Sequence, residues 1–401
     1  MSLNYQLSAE LQLILDATRL GVKHKNTSTT DRKWQQIDWP RALKLARFHG
    51  LSCWLAEYIK EQAKVAPEAV PPEVIKKLTQ QQRKQLVSYL YTEQQKCELI
   101  TTLQDSGIRF ALLKGVAIAK PLYKERWYYR TVADVDILID PEQLEQAFDK
   151  LKAIGYADVS KTPLTEPTFK HIAKYHKKLN DIEHSLQFPN RKLTLDVHWK
   201  IRREFLFPIS YQGLFNSLVQ DSAAGFRLAQ PLEFIHLCVN GMNDGWRKLK
   251  AVVDIYYYAE NITDWSPIKE TAEQLGLLHI VNASLAVCDF FYGTCYGPEQ
   301  LNSKEKTLFT FIINGFDRDN EIPCEHSYLD MRNAYVFIKT SLSWWLALSS
   351  ELFSTIKVIK SLLIPNKTDL APGQLPRTDH FTFSVFIRIK RMLKKYLYAK
   401  G

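Results

Sequence analysis

The sequence predicts an α+β fold, a small mixed sheet flanked by N-terminal and C-terminal helical regions. Apolar residues recur at helical spacing over roughly the first hundred residues. The period then shortens to brief apolar or alternating runs, and from about Pro231 the helical period returns. The predicted regions are 1–105, 106–230 and 231–401.

In chain order, Ser8 can cap a helix carrying Leu11, Ile14 and Leu15. Pro40 opens a second segment, in which Leu43, Ala46, Leu51, Trp54 and Leu55 recur at helical spacing. A Pro-rich linker precedes a long helix over Glu73–Asp105, whose apolar face is Leu86, Leu90, Cys97 and Ile100 and whose stop is Ser106-Gly107. Ile108–Leu113 reads as a strand, and Gly115–Leu122 as one or two helical turns stopped near Pro121. Val132–Ile139 alternates, with Val135, Ile137 and Ile139 opposite Asp134, Asp136 and Leu138. Asp140, Pro141 and Gln143 form a helix-start signature before the stripe Leu144, Phe148 and Leu151, and Gly155 suits the stop. Leu193–Trp199 alternates again, with Thr194, Asp196 and His198 on its polar face.

The chain has 401 residues, of which 46% are hydrophobic and 24% charged, values that exclude wholesale disorder and fibrous architecture. Its longest uncharged run, Phe205–Gln220, contains Pro208 and Gly213, whereas a spanning helix needs about 20 mostly apolar residues. The N-terminus lacks a basic segment before its apolar stretch, so no secretory signal is expected. Cys53, Cys97, Cys238, Cys288, Cys295 and Cys324 form no CxxC pair, which points to reduced thiols and a cytoplasmic setting. Cys288 and Cys295 can share a helix face, with buried packing expected of them. The net charge of +10 favours anionic partners without choosing among phosphates, nucleic acid and acidic membrane.

Asp134-Val135-Asp136 carries the most chemistry. On a strand, residues i and i+2 point the same way with Cα atoms roughly 6–7 Å apart. Carboxylates at that spacing can bridge two divalent cations about 3.5–4 Å apart, an arrangement suited to phosphoryl transfer. A solvated strand face explains the same pattern, although aspartate is a poor strand former. Asp196, on a second strand, offers a third carboxylate that can complete coordination and orient or deprotonate an acceptor hydroxyl. His198 shares its face, as either a hydrogen-bonded surface histidine or a substrate contact.

Lys114-Gly115 joins the first strand to a helix. Glycine admits close approach of a ligand, a helix N-terminus favours phosphate, and Lys114 adds a full positive charge. An ordinary turn is the alternative. Arg130 can reach the same anion, or belong with Lys124 and Arg126 to a basic loop. Lys250 and Asp254 stand four apart on a predicted helix, where a surface ion pair of about 0.3–0.5 kcal/mol is the simple explanation. His171, His176 and His184 are too irregularly spaced for a metal set, and Lys170–Lys178 reads as a solvated basic segment that can also contact an anionic acceptor. Pro365–Asp379 reads as a loop and Trp344-Trp345 as core or an interhelical contact. Arg388–Lys400 is basic and amphipathic, able to dock on the protein, to touch RNA or to make peripheral contact with a membrane.

The string LLKGVAIAKPLY, then Arg130, ADVDILID and LKAIGY resembles the uncharacterised nucleotidyltransferase family of the DNA polymerase β-like superfamily. IDWPRALKLARFHGL, LTLDVHWK, LEFIHLCVNGMNDGWRKLKAVVDIYYY and the tail LPRTDHFTFSVFIRIKRML extend the resemblance over most of the chain. It implies a nucleotidyltransferase core with catalytic and metal-binding Asp134, Asp136 and Asp196. Lys114 and Gly115 would stand where the wider superfamily carries a Gly-Ser turn on the nucleotide phosphates, with Arg130 and Lys250 as further nucleotide contacts and His198 and Asp254 as secondary candidates. Gly115 lies farther before Asp134 than the usual short spacing. The implied cofactor is Mg²⁺ or Mn²⁺, and the implied substrate a nucleoside triphosphate such as ATP, with NMP passed to a hydroxyl or phosphate acceptor and pyrophosphate released. Two other functions fit the residues: a DxD glycosyltransferase using a nucleotide sugar, and a non-catalytic nucleotide- or RNA-binding module.

Overall fold

A computed structural model describes residues 7–19, 34–158, 164–175, 182–187, 194–201, 207–221, 225–244, 246 and 248–316. The Trp344-Trp345, Pro365–Asp379 and Arg388–Lys400 readings, together with Cys324 and His176, lie outside the described residues, as does the side chain of His171. The described residues divide into two compact units, the first drawn from within 7–94, 118–132 and 230–316, the second from within 95–117 and 133–229.

The helices α1 (Ala9–Thr18), α2 (Trp39–His49), α3 (Ser52–Val65) and α4 (Pro72–Asp105) lie in the predicted helical segments. The Ser8 side chain accepts the Leu11 N–H at 3.3 Å, and Asp38 accepts that of Arg41 at 3.0 Å. Then come β1 (Phe110–Leu113), α5 (Lys114–Tyr123), β2 (Asp134–Ile139), α6 (Leu144–Ala153), β3 (Ala157–Asp158), α7 (Glu166–Tyr175), β4 (Glu183–Gln187) and β5 (Thr194–His198). The chain continues through α8 (Tyr211–Asn216), β6 (Leu218–Asp221), β7 (Gly225–Leu228), α9 (Gln230–Asn243), α10 (Leu249–Ala259), α11 (Ser266–Gln274), α12 (Leu278–Tyr292) and α13 (Ser303–Phe316).

The second unit carries a seven-stranded mixed sheet in the order β3-β4-β5-β2-β1-β7-β6. β1 runs antiparallel to β2 and parallel to β7, and β2 runs parallel to β5. Both faces of β2 are buried from Val135 to Ile139. The Phe148 ring of α6 lies tilted against those of Phe169 of α7 and His184 of β4, so α6 covers the face bearing His184, Leu186, Leu195, Val197, Val135 and Ile137. The opposite face is therefore the polar one.

The first unit is helical, with a core in which Trp54 lies against Tyr123, Tyr129 and Tyr257 at centroid distances of 5.2–5.8 Å. Among the described residues no helix is long and apolar enough to cross a membrane.

Three local expectations are corrected. On α4 the predicted stripe is displaced: Leu90 and Cys97 are exposed, and from Leu86 on the buried apolar residues are Tyr89, Leu99, Ile100 and Leu103, on a face whose buried Thr92, Glu93 and Gln95 hide it from an apolar pattern. Asp140 caps a short 3-10 turn through the Glu142 N–H. Gln143 turns its side chain away to bind the Arg109 N–H and the Gly107 carbonyl, joining this turn to the start of β1 instead of closing a capping box. Cys295 lies past Gly293, whose left-handed backbone ends α12, so it is exposed while Cys288 is buried.

Candidate metal centre

The site is built from the register of three strands. Asp134 and Asp136 are i and i+2 on β2 and share a face. The parallel pairing sets Asp136 opposite Asp196 and Leu138 opposite His198, and the antiparallel pairing sets Ser185 opposite Asp196 and Glu183 opposite His198. All six polar side chains consequently project from the face away from α6. One carboxylate oxygen from each of Asp134, Asp136 and Asp196 lies within 4.8 Å of the others. Asp136 is buried, and its two companions are half-buried.

Asp136 is heavily compensated. Its Oδ1 lies 3.0 Å from Lys114 Nζ and 2.9 Å from His198 Nε2. Burial opposes its ionisation, but the His198 hydrogen bond and the Lys114 charge outweigh that and hold the carboxyl well below the usual carboxylate range. Asp196 behaves oppositely: burial raises its pKa and the charges of Asp136 and Glu183 add to the rise, against the Ser185 hydroxyl, which donates to Oδ1 at 2.6 Å. His198 Nδ1 stands 3.1 Å from Glu183 Oε2 without the alignment of a hydrogen bond.

Lys114 reaches Asp136 because Leu113, the residue before it, is the register partner of Asp136 on β1. The turn into α5 is unusual: Lys114 has φ 33° and Gly115 φ 23° with ψ −99°. Positive φ is natural for glycine and uncommon for lysine, so this turn holds backbone strain.

A cluster of three hard oxygen donors on a rigid sheet suits Mg²⁺ or Mn²⁺ better than a softer metal. The surplus of negative charge, with one member buried, fits a cation.

The other predicted site residues fall in the first unit. Arg130 Nε lies 2.7 and 2.9 Å from the two carboxylate oxygens of Asp254, and the Tyr123 hydroxyl donates to Asp254 at 2.6 Å. Asp254 is 3% exposed, so the surface pairing expected of it is replaced by a buried ion pair. Lys250 Nζ lies 3.4 Å from the Thr131 carbonyl. His184 is buried against Asp158 at 2.8 Å, outside any metal set.

Sequence reasoning missed Glu183 and Ser185. The available signal was the alternation of Glu183, Ser185 and Gln187 against His184 and Leu186, obscured by a histidine in an apolar slot.

A sheet face with three converging carboxylates, one compensated by a lysine from the adjoining strand end, defines the class of site that can hold divalent cations for phosphoryl chemistry. The family model described as "Uncharacterised nucleotidyltransferase" matches residues 35–293, well over half of the chain and inclusive of all the residues above. The protein belongs to this family, and a general nucleotidyltransferase role goes with it. The tail segment that resembles the family lies beyond the matched residues. No curated protein and no solved structure shows a significant match to the chain.

Proposed function

We propose that the protein is a metal-dependent nucleotidyltransferase whose α/β core, within 106–230, transfers NMP from a nucleoside triphosphate to a hydroxyl or phosphate acceptor. The observation that carries this reading is the convergence of Asp134, Asp136 and Asp196 on one sheet face. These three carboxylates would hold Mg²⁺ or Mn²⁺, which when bound neutralises phosphate charge and activates the oxygens of the displacement. The acceptor oxygen forms a bond to the α-phosphorus, with Asp196 taking the proton when the acceptor is a hydroxyl, while the bond between that phosphorus and the α,β-bridging oxygen breaks and pyrophosphate leaves with that oxygen.

The chain's own residues contribute position and charge. Asp136 is held by His198 and Asp196 by Ser185, so these two donors are oriented before substrate arrives. Lys114 and the Gly115 turn supply positive charge and close backbone approach for the phosphates. For Arg130, Lys250 and Asp254, nucleotide contact is a separate proposal, checked by whether Lys250→Ala raises KM for triphosphate.

The test is a screen of the four nucleoside triphosphates with Mg²⁺ or Mn²⁺, reading thermal shift and pyrophosphate release. Stabilisation is expected only when metal and the preferred triphosphate are both present. Binding indifferent to metal, with no pyrophosphate from any triphosphate, would return the protein to the class of non-catalytic binding modules.

A further inference from the structure

Lys114 occupies an odd position for a residue whose task is to meet phosphate. Its ammonium is already engaged, 3.0 Å from a carboxylate oxygen of the most buried member of the triad. His198 approaches that same oxygen from the strand on the other side. The His198 contact is built into the sheet, because its strand is paired to β2 with His198 opposite Leu138. The Lys114 contact is different in kind. It comes from a strained turn at the strand end, through a flexible four-carbon stem.

A divalent cation held by Asp134, Asp136 and Asp196 would lie within a few ångströms of that ammonium, and the two positive charges repel. At such separations in a partly buried site this repulsion is not screened away by solvent. The residue that can yield is the lysine, whose long flexible stem leaves a turn, whereas the short carboxylate and imidazole side chains stand on paired strands.

We propose that Lys114 is the resident counter-cation of Asp136, exchanged for a divalent cation when the triad loads and thereby released toward the phosphates. This rests on the metal-dependent reading above. In it, Lys114 protects the acidic cluster when no cation is bound and competes with the cation for Asp136. Its service to the triphosphate is conditional on loading. The strain at Lys114 is consistent with a residue selected for this double placement rather than for turn stability.

The experiment titrates Mn²⁺ alone, without nucleotide, into the full chain and into Lys114→Met and Lys114→Arg, following unbound Mn²⁺ by its paramagnetic resonance signal. Lys114→Met should bind Mn²⁺ more tightly by about tenfold, because the positive charge that competes for Asp136 and repels the cation is gone. Lys114→Arg, which keeps the charge, should stay close to wild type. Equal or weaker binding by Lys114→Met overturns the exchange.

A second measurement needs no variant. Acylation of the Lys114 amine by acetic anhydride, mapped by mass spectrometry, should accelerate when Mn²⁺ is added to the wild-type protein. An unchanged or slower reaction counts against release. A wild-type protein that takes up no Mn²⁺ sinks the metal-dependent reading and the exchange together. Wild-type uptake that is lost in Asp134→Asn yet unaffected by Lys114 substitution sinks the exchange alone.

Discussion

Asp136 and Asp196 are register partners across the parallel pair β2–β5, so the third carboxylate is delivered to the other two by backbone hydrogen bonding and not by a loop. Strand pairing is stiff, and a donor set mounted on it needs little ordering when ligand arrives. The same register brings Ser185 behind the site as a support and sets Glu183 opposite His198.

From that geometry, Asp134→Asn and Asp136→Asn are expected to abolish turnover, by at least about a thousandfold or roughly 4 kcal/mol of transition-state stabilisation. Asparagine keeps the shape and one accepting oxygen, so the fold should survive. Pyrophosphate release and circular dichroism on the same preparations check both halves. Full activity in either variant would end the proposed function.

Ser185 tests the supporting layer. Its hydroxyl donates to Asp196 Oδ1 at 2.6 Å and touches no substrate in the proposed reading. Ser185→Ala should weaken divalent-cation binding by about tenfold, as the loss of an outer partner commonly does. The stability change should stay within about 1.5–3 kcal/mol, the worth of one hydrogen bond to a charged group. Calorimetric titration with Mn²⁺ alongside urea unfolding separates the two, and unaltered affinity would show that Asp196 needs no orientation.

Legibility in the sequence differed from part to part of this site. Asp134, Asp136 and Asp196 could be found because alternation marks strand faces and because aspartate is out of place on a strand. Their meeting could not be derived from local pattern alone: parallel strands are joined by long crossovers, and no tight turn fixes the register between β2 and β5. Strand β4 escaped notice because His184 occupies an apolar slot whose polar partner, Asp158, lies on another strand. The partner of Asp254 was misjudged for a related reason. Lys250 is its near neighbour along a helix, whereas Arg130 is remote in sequence and meets it only after folding.

That ion pair gives a stability prediction. Arg130 and Asp254 are both largely buried, and Asp254 also accepts from Tyr123. Removing the guanidinium in Arg130→Met leaves a buried carboxylate uncompensated, which costs about 3–5 kcal/mol. The double variant Arg130→Met with Asp254→Asn should recover part of that loss, since no bare charge then remains. Equilibrium unfolding of the two singles and the double forms the cycle, and strict additivity would contradict a shared buried pair.

His49 supplies the pH dependence. It is 1% exposed at the end of α2, and its Nδ1 accepts the Leu249 N–H at 3.2 Å. Burial, with a smaller push from the Lys248 charge, lowers its pKa from 6.5 to about 4. Between those values the unfolded chain takes up a proton that the folded chain refuses, so stability must fall as pH drops. The contribution is fully present above about pH 6.5 and is lost progressively toward pH 4, amounting to about 3 kcal/mol. His49→Asn keeps an acceptor for the Leu249 N–H but cannot titrate. Urea unfolding at pH 7 and pH 5 should therefore show a steeper loss for wild type than for this variant. Equal slopes would mean that the folded His49 accepts its proton as readily as the unfolded one.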